Sequence, residues 1–301
     1  MDKAGEINNL TKIIKPNFGI ITNISYAHIK NFKSLNGIAR AKSEILNNIV
    51  EGGKIILNQD DDYFNFIKKI ALKKNIHVIS FSKKNSLSDI FIKKITRKKT
   101  NYKIFVNVKN LTKSFLIKKN LYPYLYNILA SVAIISEFYN LKNINEKIFY
   151  NFKLPFSRGD LTKIKLKNKI IYLTDESYNS NPLSLKFAIE NFSKIKNNNK
   201  YLILGDMLEL GKFSKMLHKK ISKIINKTSI KKVYVIGNYI KETFYGISRK
   251  KRGRILRNKD EIYELIKNDL NNNDHLMIKA SNSTGLNTIA SNIKKGKVYA
   301  I

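Results

Sequence analysis

Residues 170–189 read Ile-Ile-Tyr-Leu-Thr-Asp-Glu-Ser-Tyr-Asn-Ser-Asn-Pro-Leu-Ser-Leu-Lys-Phe-Ala-Ile. A short apolar run bounded by turn residues predicts a buried strand at 170–173. Pro182 at the head of the next segment predicts a helix over 183–196. The same order recurs downstream, with strands predicted at 201–204, 233–236 and 275–279 and helices near 213–226, 259–267 and 285–294. Residues 163–174 read as a hairpin leading into the first of these strands. Strand and helix in alternation imply a mostly parallel sheet covered by helices on both faces, with ligands gathered at the strands' C-terminal ends.

The upstream half has a similar rhythm. Strands are predicted at 18–24, 54–58 and 76–81, and helices at 34–49, with Ser34 as N-cap, and 63–73. From 89 to 118 the pattern changes to alternating apolar and polar residues, which predicts an antiparallel meander with a turn near residues 99–101. An apolar helix over 125–139 follows. The rhythm restarts after Pro155, so the expected domains are 1–155 and 156–301, both α/β, and 301 residues suffice for two cores.

Composition removes several function classes. There is no Cys, so disulfide scaffolds, thiolate metal sites and Cys nucleophiles are excluded. Four scattered His exclude a multi-His metal cage. No apolar run approaches a membrane span, and the N-terminus has no signal-peptide core, so a cytoplasmic protein without membrane attachment is expected. The net charge of +35 raises a nucleic-acid reading. Against it, only seven of the 57 basic residues are Arg, and the Lys are spread along the chain in no single stripe. A solvated basic surface without a nucleic-acid partner is the expectation. The densest cluster, Arg249-Lys250-Lys251-Arg252-Gly253-Arg254, is read as a surface loop.

Five places carry candidate chemistry. Lys42 shares the apolar stripe of its helix with Leu35, Ile38, Ile45 and Ile49. It is either a lysine snorkelling from that face or an amine held in a site for its reactivity. His28 follows the strand that begins at Phe18, where either a ligand or an ordinary loop residue would stand. Asp175 through Pro182 brings two carboxylates, a phenol and two amides to one strand end, more than an Asx-type N-cap needs, although a cap is part of it. Gly205 through Lys212 has five residues between its glycines and Phe213 after the lysine, so it fails the phosphate-loop pattern. Lys279 through Gly285 opens a helix with hydroxyls and amides, which suits an anion or a plain N-cap equally.

These pieces, in order, resemble the Mur ligase family. The residues that carry the likeness are Gly5-Glu6-Ile7, Thr22 through His28, Gly37 through Ile45, Leu57 through Asp61, Asp175 through Pro182 with Ser184, Gly205 through Gly211, and Lys279-Ala280-Ser281. The resemblance is closest to the branch that adds D-alanyl-D-alanine to UDP-N-acetylmuramoyl-tripeptide during peptidoglycan synthesis. It implies part of a central ATPase domain, a mostly parallel sheet plus a small meander, followed by a Rossmann-like C-terminal domain. It implies an ATP-dependent ligase that uses Mg²⁺ and forms an acyl phosphate. By the same resemblance Lys42 is a carbamylated lysine that helps hold magnesium, His28 a magnesium ligand and Asn127 an adenine contact. Arg158 reaches the ATP phosphates, Asp175 contacts the nucleotide, and Asn179, Asn181 and Ser281 face the dipeptide or the precursor's peptide end.

The chain also departs from that pattern. The UDP-sugar domain and the Gly-rich phosphate loop are not among these residues, and neither is the Glu that binds magnesium in relatives. Leu121-Tyr122-Pro123-Tyr124 replaces Gly-x-His-Asn, and Lys279-Ala280-Ser281 replaces Lys-Gly-Ser. The expectation is the C-terminal two-thirds of a ligase, inactive alone, with an exposed apolar edge in residues 1–150. A separate N-terminal fragment would be its partner, and a remnant that only binds ligand is the alternative.

Overall fold

The structure is a computed structural model that describes residues 1–98, 100–196 and 199–298. The chain divides into two compact units, Met1–Lys153 and Leu154–Ile301.

The first unit runs α1 (Glu6–Ile14), β1 (Phe18–Ile21), α2 (Ile29–Phe32), α3 (Leu35–Ser43), β2 (Lys54–Asn58), α4 (Phe64–Lys73), β3 (His77–Ser82), β4 (Ile90–Arg97), β5 (Asn101–Val108), β6 (Leu111–Lys118) and α5 (Leu125–Phe138). Its six strands lie in sequence order. β1 to β4 pair in parallel, and β4 to β6 antiparallel, as the change from apolar runs to alternation implies. Lys99, at the expected first turn of the meander, lies outside the described residues; β5 begins at Asn101.

Three local features differ from the sequence expectation. The strand expected over 18–24 ends at Ile21, because residues 22–24 turn away to bond Asn58 and Asp61: Asn58 Nδ2 donates to Thr22 O at 3.1 Å, and Ile24 N donates to Asp61 Oδ2 at 2.7 Å. The helix expected over 34–49 is α-helical only to Ser43 and continues as a 3-10 turn over Glu44–Asn47. Ser43 Oγ donates back to Ala39 O at 2.7 Å, a bond that competes with the regular ladder. The freed Glu44 carboxylate accepts from Gly5 N at 2.7 Å and Asn8 N at 3.2 Å, which caps α1, a helix absent from the expectation. β1 is an edge strand. Within it Ile20 is 39% exposed, and on α1 Ile13 is 82% exposed.

The second unit runs β7 (Asp160–Lys165), β8 (Ile170–Asp175), α6 (Pro182–Ser193), β9 (Lys200–Gly205), α7 (Ser214–Asn226), β10 (Lys232–Ile236), α8 (Lys241–Gly246), β11 (Arg252–Ile255), α9 (Glu261–Asn268), β12 (His275–Lys279) and α10 (Leu286–Lys294). The order is β11-β10-β9-β12-β8-β7, parallel except for the β7–β8 hairpin. β12 therefore inserts between β8 and β9, so the three polar strand ends singled out in the sequence become neighbours on one edge of the sheet.

The cluster at 249–254 is not a surface loop. Arg249–Lys251 form a 3-10 turn and Arg252 opens β11, the edge strand on β10. Lys251 is buried and donates to Ile225 O and Thr228 O, where its charge meets the carbonyl end of α7.

Gly205 ends β9 where β12 and α10 crowd it. A Cβ there would lie 2.7 Å from Ala280 Cβ and 2.9 Å from Leu286 Cδ1. Gly205→Ala is expected to lower unfolding free energy by about 1–3 kcal/mol through overpacking, measured by denaturant titration. An unchanged midpoint would contradict this packing.

Candidate functional site

In the first unit the polar residues collect where β1, β2 and β3 end. Ser34 caps α3 by accepting from Gly37 N at 3.0 Å. A Cβ on Gly37 would lie 2.3 Å from Phe32 O, so glycine is what lets α2 and α3 close on each other. Ile38, Ala39 and Ala41 are buried, which turns the Lys42 side of α3 inward. Lys42 Nζ donates to Asn23 O at 2.8 Å. Burial holds its ammonium below the ordinary lysine value, and the nearby Asp61 carboxylate opposes that shift. Asp61 is itself fixed by Ile24 N and by Tyr63 N, the latter at 2.9 Å. His28 stands five residues after Asn23 in the left-handed backbone region, with φ of 64°.

Asp60 ties the neighbouring strand ends together. It accepts from Ser82 Oγ at 2.6 Å, Lys83 N at 2.8 Å and Tyr126 OH at 3.0 Å. Tyr126 thereby brings the first turn of α5, with the exposed Asn127, to the β2 and β3 ends. The Lys83 ammonium lies over the Tyr126 ring at 4.7 Å from its centroid.

In the second unit Asp175 is fully buried at the end of β8. It accepts from Ser157 Oγ at 2.9 Å, from Ser177 N at 3.0 Å and Oγ, and from Lys294, which also pairs with Asp160. Gly159 N donates to Asp175 O at 2.7 Å. The carboxylate so holds the turn that carries Arg158, whose guanidinium stacks 4.1 Å from the Tyr178 ring centroid. Asn179 is exposed, with Oδ1 accepting from Ser180 N at 2.7 Å. Asn181 is the N-cap of α6 and forms a capping box with Ser184. Ser281 is buried. Its Oγ accepts from Leu208 N at 2.9 Å and donates to Ser180 O at 3.2 Å. Of the expected dipeptide residues, Asn179 thus presents a side chain outward, while Asn181 and Ser281 are engaged in the fold.

Two profiles match this chain: the Mur ligase middle domain over residues 1–135, and the Mur ligase glutamate ligase domain over 162–282. The chain belongs to the Mur ligase family. It is 34% identical over 96% of its length to a UDP-N-acetylmuramoyl-tripeptide–D-alanyl-D-alanine ligase of Buchnera aphidicola subsp. Baizongia pistaciae, covering 61% of that protein. It is 29% identical over 96% of its length to the ligase of the same name from Rickettsia prowazekii, covering 64% of it. The chain so spans about three-fifths of the length of the curated relatives it matches. The fold is that of MurF from Acinetobacter baumannii, with TM-score 0.81, 22% identity, and 98% of this chain and 63% of that one covered. MurF from Thermotoga maritima in complex with ADP gives TM-score 0.80 at 19% identity, with 98% and 65% covered.

Among the described residues of this Mur ligase chain no group of three His, Asp or Glu could hold a metal ion, and no helix is long and apolar enough to cross a membrane. Sequence reasoning gave no supporting role to three residues. Lys279 is buried among strand ends, Lys294 bridges two carboxylates, and His218 underpins the turn after β9. Lys294 sits on the Leu286, Ile289, Ala290, Ile293 stripe of α10 and Lys279 closes a strand whose Leu276, Met277 and Ile278 form an apolar run, which was the available signal.

His218 is fully buried between two polar partners. Its Nε2 accepts from Met207 N at 2.9 Å, so Nδ1 carries the proton toward Ser214 O at 2.7 Å. Burial lowers its pKa, and burial also lowers that of His275. The unfolded imidazoles take up protons first, near about pH 6.5. Stability is therefore full above that pH and declines as pH falls toward the folded values. His218→Gln keeps an acceptor for Met207 N and removes one titration. Its melting temperature is expected to fall less steeply between about pH 7 and about pH 5. A slope equal to that of the unsubstituted chain would contradict the assignment.

Proposed function

We propose that these residues form the nucleotide-handling and amine-handling parts of an ATP-dependent ligase that adds D-alanyl-D-alanine to UDP-N-acetylmuramoyl-tripeptide in the cytoplasm. The observation that carries this reading is identity to the Buchnera ligase running through both units, over 96% of the chain. The ADP complex of the Thermotoga relative supports ATP as the phosphoryl donor.

In the proposed reaction a carboxylate oxygen of the tripeptide attacks the γ-phosphorus of ATP, and ADP leaves. The dipeptide amine then attacks the acyl phosphate carbon, loses a proton, and the tetrahedral intermediate expels phosphate to leave an amide. Asn127 would contact adenine. Arg158 would neutralise phosphate charge from the turn that Asp175 supports, so Asp175 serves the nucleotide through Arg158. Asn179 would face the dipeptide, with Asn181 and Ser281 shaping its turn. Magnesium, when bound, would screen the charge passing between ATP and the carboxylate. His28 and a carbamate on Lys42 would hold it. Desolvation of Lys42 fits this role, because the neutral amine is the form that reacts with CO₂. Two protein ligands suit an ion that keeps waters and substrate phosphates around it.

None of the 301 residues supplies a Gly-x-x-x-x-Gly-Lys-Ser/Thr loop. The backbone cradle for the β and γ phosphates is thus proposed to come from polypeptide outside them. The free edge of β1 and the exposed Leu10, Ile13 and Ile14 of α1 support such a partner. The test is phosphate release from ATP in the presence of the tripeptide precursor and D-alanyl-D-alanine. The isolated 301-residue chain is expected to give none above background. A fusion to the part of the Buchnera ligase outside the match is expected to release phosphate and form the pentapeptide. Turnover by the isolated chain would overturn the partner requirement, and a folded, ADP-binding fusion without pentapeptide would overturn the ligase reading.

A further inference from the structure

Lys279 ends β12, whose other residues are His275, Leu276, Met277 and Ile278, all buried. It is 2% exposed, and its ammonium has three acceptors: Asn179 O at 3.0 Å, Glu176 Oε2 at 3.3 Å and Glu176 O at 3.4 Å. All three belong to the turn after β8, so every N–H of the ammonium is committed to one turn. Two residues on, Ser281 binds Ser180 O and Leu208 N, and Ser281 N donates to Asp206 O at 3.1 Å. The end of β12 therefore staples both neighbouring turns.

Stability alone gives little reason for an ammonium in this place. Burying an ion pair costs several kcal/mol in desolvation, and well-packed apolar side chains of similar volume often do as well or better. The burial also pushes Glu176 up and Lys279 down, each opposed by the other's charge. What an apolar side chain cannot supply is hydrogen-bond donation to two backbone carbonyls. With those carbonyls held inside, Tyr178, 48% exposed, and Asn179 are left on the outer side of the turn.

We infer that Lys279 is a positioning residue for the amine-binding turn: by gathering the carbonyls of Glu176 and Asn179 it fixes the outward presentation of Tyr178 and Asn179 to the incoming dipeptide. The role rests on the ligase reading for the identity of that dipeptide, and on this chain's geometry for the positioning.

The test compares the full 301-residue chain with Lys279→Met and with the double variant Glu176→Gln/Lys279→Met, which removes the orphaned carboxylate as well. Hydrogen exchange is read at the Tyr178 and Ser180 amides, bonded to Ser157 O and Asn179 Oδ1, against amides of β9. D-alanyl-D-alanine affinity is read by NMR titration. In Lys279→Met the turn amides are expected to exchange at least about tenfold faster while β9 keeps its protection, and dipeptide affinity to fall by about tenfold or more. The double variant is expected to recover melting temperature but neither turn protection nor affinity. Turn amides that exchange as in the unsubstituted chain, or a double variant that recovers both properties, would overturn the positioning role. If the unsubstituted chain binds no dipeptide while the exchange pattern appears as expected, the ligase reading of this turn fails and the positioning stands.

Discussion

An ammonium removed from water must find acceptors or give up its proton, and Lys42 is placed under that constraint. Its stem rises from the buried side of α3, its ammonium donates to the Asn23 carbonyl, and the nearby Asp61 carboxylate is already taken by two backbone N–H groups. The segment from β1 to His28 is shaped around the same contacts. Asn58, Asp61 and Lys42 each hold one piece of residues 22–24, which is why the strand stops where it does. The proposed chemistry of the first unit depends on this amine being neutral often enough to react.

The second unit solves a related problem with more partners. Lys294 and Lys279 enter a crowded strand-end region and each is matched to carboxylates, Asp160 and Asp175 for the one, Glu176 for the other. One pair aims Arg158 and the other sets the turn of Asn179. Because the topology inserts β12 between β8 and β9, turns distant in sequence share these ions, and the strand ends act as one rigid rim.

Much of this order could be read from the residues. Buried parallel strands announce themselves as apolar runs, and the meander as alternation, because burial on two faces or on one imposes those patterns. α1 escaped because its cap is the Glu44 side chain, far along the chain. β11 escaped because an edge strand tolerates the Arg and Lys that usually mark a loop. At the candidate site the polar strand ends were visible, but their supports were not. Fifty-seven basic residues conceal the few that lie inside, and Lys279 and Lys294 meet partners roughly a hundred positions away. The Asx cap at Asn181 and the exposed Asn179 are adjacent parts of one segment.

Lys42 itself offers the most direct measurement: ¹³C NMR of the chain equilibrated with ¹³C-bicarbonate, beside Lys42→Arg, which keeps a cation but offers no reactive amine. A desolvated lysine at this position predicts a carbamate carbonyl signal near neutral pH that is lost in Lys42→Arg. No signal from the unsubstituted chain, or one that survives in Lys42→Arg, would contradict the account.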